Sequence, residues 1–170
     1  MNAKLYEQNY LAIIEKMTEL DETQKSLIKQ NWLSYLSFLE NRISINYFYY
    51  RCFTIIGTIG GISIPSISSL SLLPENENKI LVSLVGIITA CSIGLNQAFK
   101  FNEKWRHFRL AVELARIEGE TFLGKGGVYK DKNHNESFSV FVKRLEQIKK
   151  YQIKAYFESI DGLNNKKEDE

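Results

Sequence analysis

The sequence predicts an all-helical membrane protein, built as a two-span transmembrane helical hairpin whose long helices extend into the cytoplasm, followed by a C-terminal amphipathic helix. Three observations carry this prediction. Residues 52–73 and 80–99 contain no Asp, Glu, Lys or Arg, so all 22 basic and 20 acidic residues of the 170-residue chain lie elsewhere. At about 1.5 Å rise per helical residue these windows measure roughly 33 and 30 Å, which matches a hydrocarbon core of about 30 Å. Outside them, apolar residues recur at three- and four-residue spacing, with no alternation of period two.

Residues 1–51 read as N-terminal cytoplasmic helices. Leu11, Ile14, Met17 and Leu20 form a first apolar stripe, and Asp21 with Gln24 has the spacing of a capping box that starts a new helix. The stripe resumes at Leu27, Ile28, Trp32, Tyr35, Leu36, Leu39 and Ile43, and no Gly or Pro interrupts the chain before the first span. A short helix and then a long one that continues into the membrane are therefore expected. Some fifty residues, rich in charged and polar side chains, precede the first span, which is not the layout of a cleavable signal peptide.

Residues 52–99 are the predicted hairpin, with spans 52–73 and 80–99 and a turn at 74–79. In the first span, helical phase gathers Thr54, Gly57, Thr58, Gly61, Pro65, Ser68 and Ser69 on one side, and Ile55, Ile56, Ile59, Ile67 and Leu70 on the other. Gly57 and Gly61 form a GxxxG pair, and Pro65 removes a backbone donor, so a kink is expected there. In the second span Gly86, Ala90, Gly94 and Ala98 repeat every fourth residue, a ladder that lets another backbone approach closely. Thr89, Ser92 and Asn96 fall roughly opposite it. Two readings remain open: the hydroxyls bond back to their own helix carbonyls and the small residues only tighten a bundle, or the ladder joins the spans and Thr89, Ser92 and Asn96, with Ser69, line a wet axis between protomers. One hairpin cannot enclose a pore, so the second reading requires a homo-oligomer.

Orientation is set by basic residues near the membrane. Arg42 and Arg51 precede the first span and Lys100, Lys104, Arg106 and Arg109 come after the second, whereas the turn holds Lys79 with Glu75 and Glu77. Both termini are expected in the cytoplasm of a multi-pass protein of the plasma membrane. Tyr47, Phe48, Tyr49 and Tyr50 before the first span and Trp105 after the second sit where interfacial rings prefer to lie. Cys52 and Cys91, one in each span and near the same predicted face of the membrane, leave a disulfide open, but buried Cys in lipid more often behaves as a small hydrophobe.

Residues 100–163 are expected to form C-terminal cytoplasmic helices. Arg109/Glu113 and Arg116/Glu120 are spaced for ion pairs on one helix face. A loop at 124–135 leads to an amphipathic helix bearing Phe138, Phe141, Val142, Leu145, Ile148, Tyr156 and Ile160, and 164–170 reads as a disordered polar tail.

No chemistry is legible. Gly119, Gly124 and Lys125 satisfy GxxxxGK, but Gly126 stands where a magnesium-binding Ser or Thr is needed and a helix precedes it where a strand is required. His107 and His134 have no partner at ligand spacing, so no metal or other cofactor is expected. No nucleophile stands beside a base, so the chain does not read as an enzyme. A net charge of +2 without basic and aromatic interleaving argues against nucleic acid.

The run EKWRHFRLAVELARIEGETFLGKGGVYKD at 103–131, with Phe138 and FVKRLEQI after it, resembles the SLATT superfamily of two-transmembrane effector domains associated with nucleotide-synthesising and nucleotide-sensing proteins. It is most similar to the large bacterial subgroup described only as a domain of unknown function. The matching positions are Trp105, Arg106, Arg109, Glu113, Glu118, Gly119, Phe122, Tyr129, Phe141, Val142 and Glu146, with Pro65 late in the first span. The resemblance implies a membrane effector of bacterial defence that forms pores when a partner senses a nucleotide signal. It leaves open gating by a nucleotide-sensing or other cytoplasmic regulator, or by a ligand at the cytoplasmic helices. The expectation is an oligomeric pore-forming or ion-channel-like module, with a non-conducting anchor or scaffold that recruits a cytoplasmic partner as the alternative.

Overall fold

The computed structural model describes residues 3–69 and 74–161, and among these every element is helical. In chain order they are α1 (Ala3–Lys16), α2 (Glu22–Ile28), a π-helical turn (Lys29–Leu33), α3 (Ser34–Ser69), α4 (Glu75–Phe99), α5 (Phe101–Leu123), a 3-10 turn (Gly127–Tyr129) and α6 (His134–Asp161). The chain divides into two compact units, residues 44–105 and the segments on either side of them.

The flanking unit is organised around Trp32, which is fully buried. The expected start of α2 is present: the Asp21 carboxylate accepts from the Gln24 N–H at 2.6 Å, and the Gln24 side chain accepts from the Asp21 N–H at 3.1 Å. From α2 through α3 the stripe Ile28, Trp32, Leu33, Leu36 and Leu39 is buried together with Ile14 and Leu20, Ala111, Val112, Ala115 and Phe122 of α5, and Phe141 and Leu145 of α6. The π turn is where Trp32 and Leu33 enter this core. One extra residue in a helical turn rotates the helix downstream of it, the local change of register that π turns supply.

The other unit holds α3 from Ser44 onward and α4, paired as a hairpin. Two uncharged windows within helical stretches here are long and apolar enough to cross a membrane, and only 11 % of each is buried. A helix serving as the core of a water-soluble fold would be mostly covered. Pro65 lies inside α3, which continues as helix to Ser69.

Two boundaries differ from expectation. The anticipated turn at 74–79 is helical from Glu75 onward: Pro74 takes an extended conformation (φ −51°, ψ 145°) as the residue before the helix, Glu75 and Glu77 carry negative charge in its first turn, and Lys79 pairs with Glu75 at 2.6 Å. The unit boundary falls at residues 44 and 105 rather than at the ends of the uncharged windows. Aromatic contacts beyond the windows account for this, since Tyr49, Phe53, Phe99 and Phe101 stack in a chain with centroids 5.4–6.4 Å apart and Tyr47 meets the edge of Trp105 at 5.5 Å. The end of the first predicted span, 70–73, and the tail 164–170 lie outside the described residues.

Candidate functional site

Within the hairpin, the two faces of α4 are exchanged relative to expectation. Thr89 and Ser92 are buried, while Gly86 and Gly94 have open space where a β-carbon would stand and Ala90 is exposed. The polar stripe therefore packs on α3, and the ladder faces outward. A β-carbon on Gly60 would fall 1.9 Å from Thr89 Oγ1, one on Gly57 would lie 3.0 Å from Ile93 Cγ1, and Asn96 Nδ2 donates to Thr54 Oγ1 at 3.3 Å. Helix packing in an apolar medium rewards close backbone approach, and here Gly57 and Gly60 provide it. Gly61 of the predicted GxxxG pair points into open space.

The small-residue pattern of the sequence does not single out Gly60. A signal for it exists all the same, because Gly57, Gly60, Ile64 and Ile67 have the 3–4–3 spacing of a helix face and are covered or half-covered positions of the span.

The hydroxyls satisfy themselves. Thr54, Thr58, Ser63, Ser66, Ser68 and Ser69 each donate to the carbonyl four residues earlier at 2.7–3.1 Å, as do Thr89 (2.7 Å) and Ser92 (2.8 Å) in α4. Asn96 Oδ1 has no partner and no accessible surface.

Helical phase then places two stripes on one side of the hairpin. At about 100° per residue, Thr54, Thr58, Gly61, Pro65 and Ser68 lie roughly 100° past the packing face of α3, and Gly86, Ala90 and Gly94 lie roughly 100° past that of α4. Because the helices run antiparallel, equal rotations in the sense of each chain carry both stripes to the same side. All of these residues are exposed or only partly covered. The hairpin thus presents one broad face made of small and hydroxyl-bearing residues from both spans, with Ser69 at its edge.

The flanking unit assembles the motif residues from Arg106 onward. The Glu118 carboxylate, buried, accepts a hydrogen bond from the Tyr129 hydroxyl and one from Arg144 Nε at 2.6 Å. Burial and the adjacent carboxylate push the Tyr129 phenol well above its usual range, and Glu118 raises the Arg144 guanidinium. Tyr129 is thereby held as a neutral donor. Gly119, the next residue, lies under the Trp32 ring, which donates through Nε1 to the Ala115 carbonyl at 2.8 Å. Phe122 stacks on Phe141 at 4.4 Å and meets the edges of Tyr129 and His134 at 5.4 Å each.

Of the other motif residues, Arg109 pairs with Glu113 at 2.7 Å as its spacing predicts, Arg106 is exposed, and Trp105 donates to Asn102 Oδ1 at 3.1 Å. Arg116 reaches Glu40 at 2.8 Å and Glu113 at 3.4 Å, and Glu120 accepts the Tyr10 hydroxyl. Glu19, in the segment between α1 and α2, takes the His134 N–H at 2.9 Å, the His134 Nδ1 at 2.7 Å and the Lys125 Nζ at 2.8 Å. The loop with GxxxxGK spacing thus spends its lysine on an internal ion pair. The Arg144 and Glu19 partnerships join residues far apart in sequence, and no local spacing could have revealed them.

Among the described residues, no cluster of three or more His, Cys, Asp or Glu is placed to hold a metal ion, and both cysteines are free thiols. The roles of Glu118, Gly119, Trp32 and Tyr129 visible in the packing are structural: they fix α5 against α3 and α6 inside the flanking unit.

Neither a curated protein nor a solved structure matches the chain. A family model described as "Protein of unknown function (DUF4231)" matches residues 34–137, a stretch holding both apolar helices, the Glu118–Gly119 pair and Tyr129. With well over half of its length matched, the chain belongs to the DUF4231 family.

Proposed function

We propose that the chain is a two-span protein of the bacterial inner membrane with both termini cytoplasmic, that it belongs with the SLATT superfamily it resembles, and that it assembles into a homo-oligomer forming a pore or ion-conducting module. The carrying observation is the outward face of small and hydroxyl-bearing residues shared by both spans. In lipid, bulk apolar side chains gain little from meeting one another, and faces that allow backbones to approach are the ones that associate.

Several such hairpins around an axis supply what one lacks, a closed wall. The lining then comes from Thr54, Thr58, Ser68 and Ser69, whose oxygens still accept hydrogen bonds while donating to their own helix. Of the residues suggested by spacing alone, Ser69 keeps this role; Thr89, Ser92 and Asn96 serve the packing between spans. Neither uncharged window contains a charged ring, so selectivity would rest on hydroxyls and pore width. The excess of basic residues on the terminal flanks supports the orientation, and the resemblance supports a role in bacterial defence under a nucleotide-sensing or other cytoplasmic regulator.

A second reading is favoured by the return of eight span hydroxyls, among the described residues, to carbonyls of their own helices, which suits a dry, non-conducting anchor. Planar-bilayer recording of the purified oligomer separates the two. Conductance is expected for the wild type, with cation preference raised by Thr58→Asp, whereas Ser92→Asp buries a charge between the spans and should impair insertion. A folded oligomer silent in both wild-type and Thr58→Asp forms establishes the scaffold instead.

A further inference from the structure

At the end of the hairpin where α4 gives way to α5, an open hollow of about 300 Å³ is lined by Tyr50, Asn96, Gln97, Lys100, Asn102 and Glu103. The size lies at the lower end of the range of about 300–1,000 Å³ usual for ligand sites. We propose that it receives the phosphate and amine of a zwitterionic, phosphoethanolamine-type lipid headgroup. The assignment rests on the membrane reading of the hairpin and does not depend on conduction.

The lining contains one cation and one anion among amides and a phenol. Lys100 stands at the junction in left-handed backbone conformation (φ 47°, ψ 44°), between the C-terminus of α4 and the N-terminus of α5. Its ammonium and the first N–H groups of α5 favour a phosphate oxygen. The Asn102 carbonyl oxygen is occupied by the Trp105 indole at 3.1 Å, which leaves its NH2 as a donor to the same anion. On the acceptor side is the Glu103 carboxylate. A primary ammonium, with three N–H donors, answers it.

Depth agrees with this chemistry. The stacked rings of Tyr49, Phe53, Phe99 and Phe101 and the Tyr47–Trp105 pair belong to the same unit, and aromatic residues of this kind settle at the headgroup level of a bilayer. A net-neutral lining suits a zwitterion better than free phosphate, whose charge would face Glu103 uncompensated.

Native mass spectrometry of the detergent-solubilised full chain, loaded with phosphatidylethanolamine or phosphatidylcholine, tests the site. One retained phosphatidylethanolamine per chain is expected, in preference to phosphatidylcholine, whose quaternary amine has no N–H to donate. Lys100→Gly, which removes the ammonium while easing the left-handed backbone, and Glu103→Gln should each weaken retention about tenfold. Millimolar inorganic phosphate should not displace the lipid. Equal retention of the two lipids, or retention unchanged in both variants, overturns the site, and displacement by phosphate overturns the headgroup in favour of a soluble ligand. Release of the chain from membranes by alkaline carbonate, checked beforehand, would overturn the membrane reading itself.

Discussion

A β-carbon on Gly119 would stand 1.9 Å from Cζ2 and 2.0 Å from Cε2 of Trp32, so the indole occupies the volume that any other residue at 119 would need. The ring is fully buried and tied by its N–H to the Ala115 carbonyl one turn earlier, which leaves it no room to retreat.

Gly119→Ala should therefore destabilise the flanking unit by about 1–3 kcal/mol despite the better helix propensity of alanine. Thermal unfolding of wild type, Gly119→Ala, Trp32→Phe and the double variant checks this. The smaller ring should relieve part of the clash, so the double variant should cost less than the sum of the singles. Strict additivity would show that the two residues do not compete for one space.

Within the hairpin, Gly60→Val and Ala90→Leu should fail differently. The first drives a side chain into Thr89 and should loosen the pairing of α3 with α4, at a cost of about 1–3 kcal/mol to the single chain. The second adds bulk to the outward ladder and should leave the chain stable while reducing the proposed oligomer. Light scattering of the detergent-extracted variants distinguishes these outcomes, and native oligomer mass in Ala90→Leu would remove the ladder from the assembly face.

Topology is testable by thiol labelling. Asn76 and Asn135 are both exposed. In a background lacking Cys52 and Cys91, a cysteine at 76 should react with a membrane-impermeant reagent in intact cells, and one at 135 should not. The opposite pattern reverses the orientation, and labelling of both excludes a closed hairpin.

Acid stability should depend on Glu19. Its carboxyl is held at about 2, against a usual 4.5, first by the N–H of His134, then by Lys125 and the His134 ring. A carboxylate depressed on folding contributes stability that is complete above its unfolded pKa and is lost as pH falls through the folded one. The contribution should therefore disappear between about pH 4.5 and pH 2. Glu19→Gln should flatten the fall in melting temperature over that window, and a slope equal to wild type would show that the contacts of Glu19 do not persist in solution.

The chain's helical class, the two uncharged windows, the Asp21–Gln24 start of α2 and the Arg109–Glu113 pair were all legible in the sequence, because each rests on composition or on partners three or four residues apart. Local spacing also divided α4 into a small stripe and a polar stripe. It could not say which stripe meets α3, since either choice leaves the periodicity unchanged. Tertiary packing decided that question: Thr89 fits over Gly60, and the ladder is left open. The same limit hid the partners of Glu118. Tyr129 lies 11 residues away and Arg144 lies 26, and only the docking of α6 beside α5 brings two donors to one buried carboxylate, a convergence set by packing and absent from any local pattern.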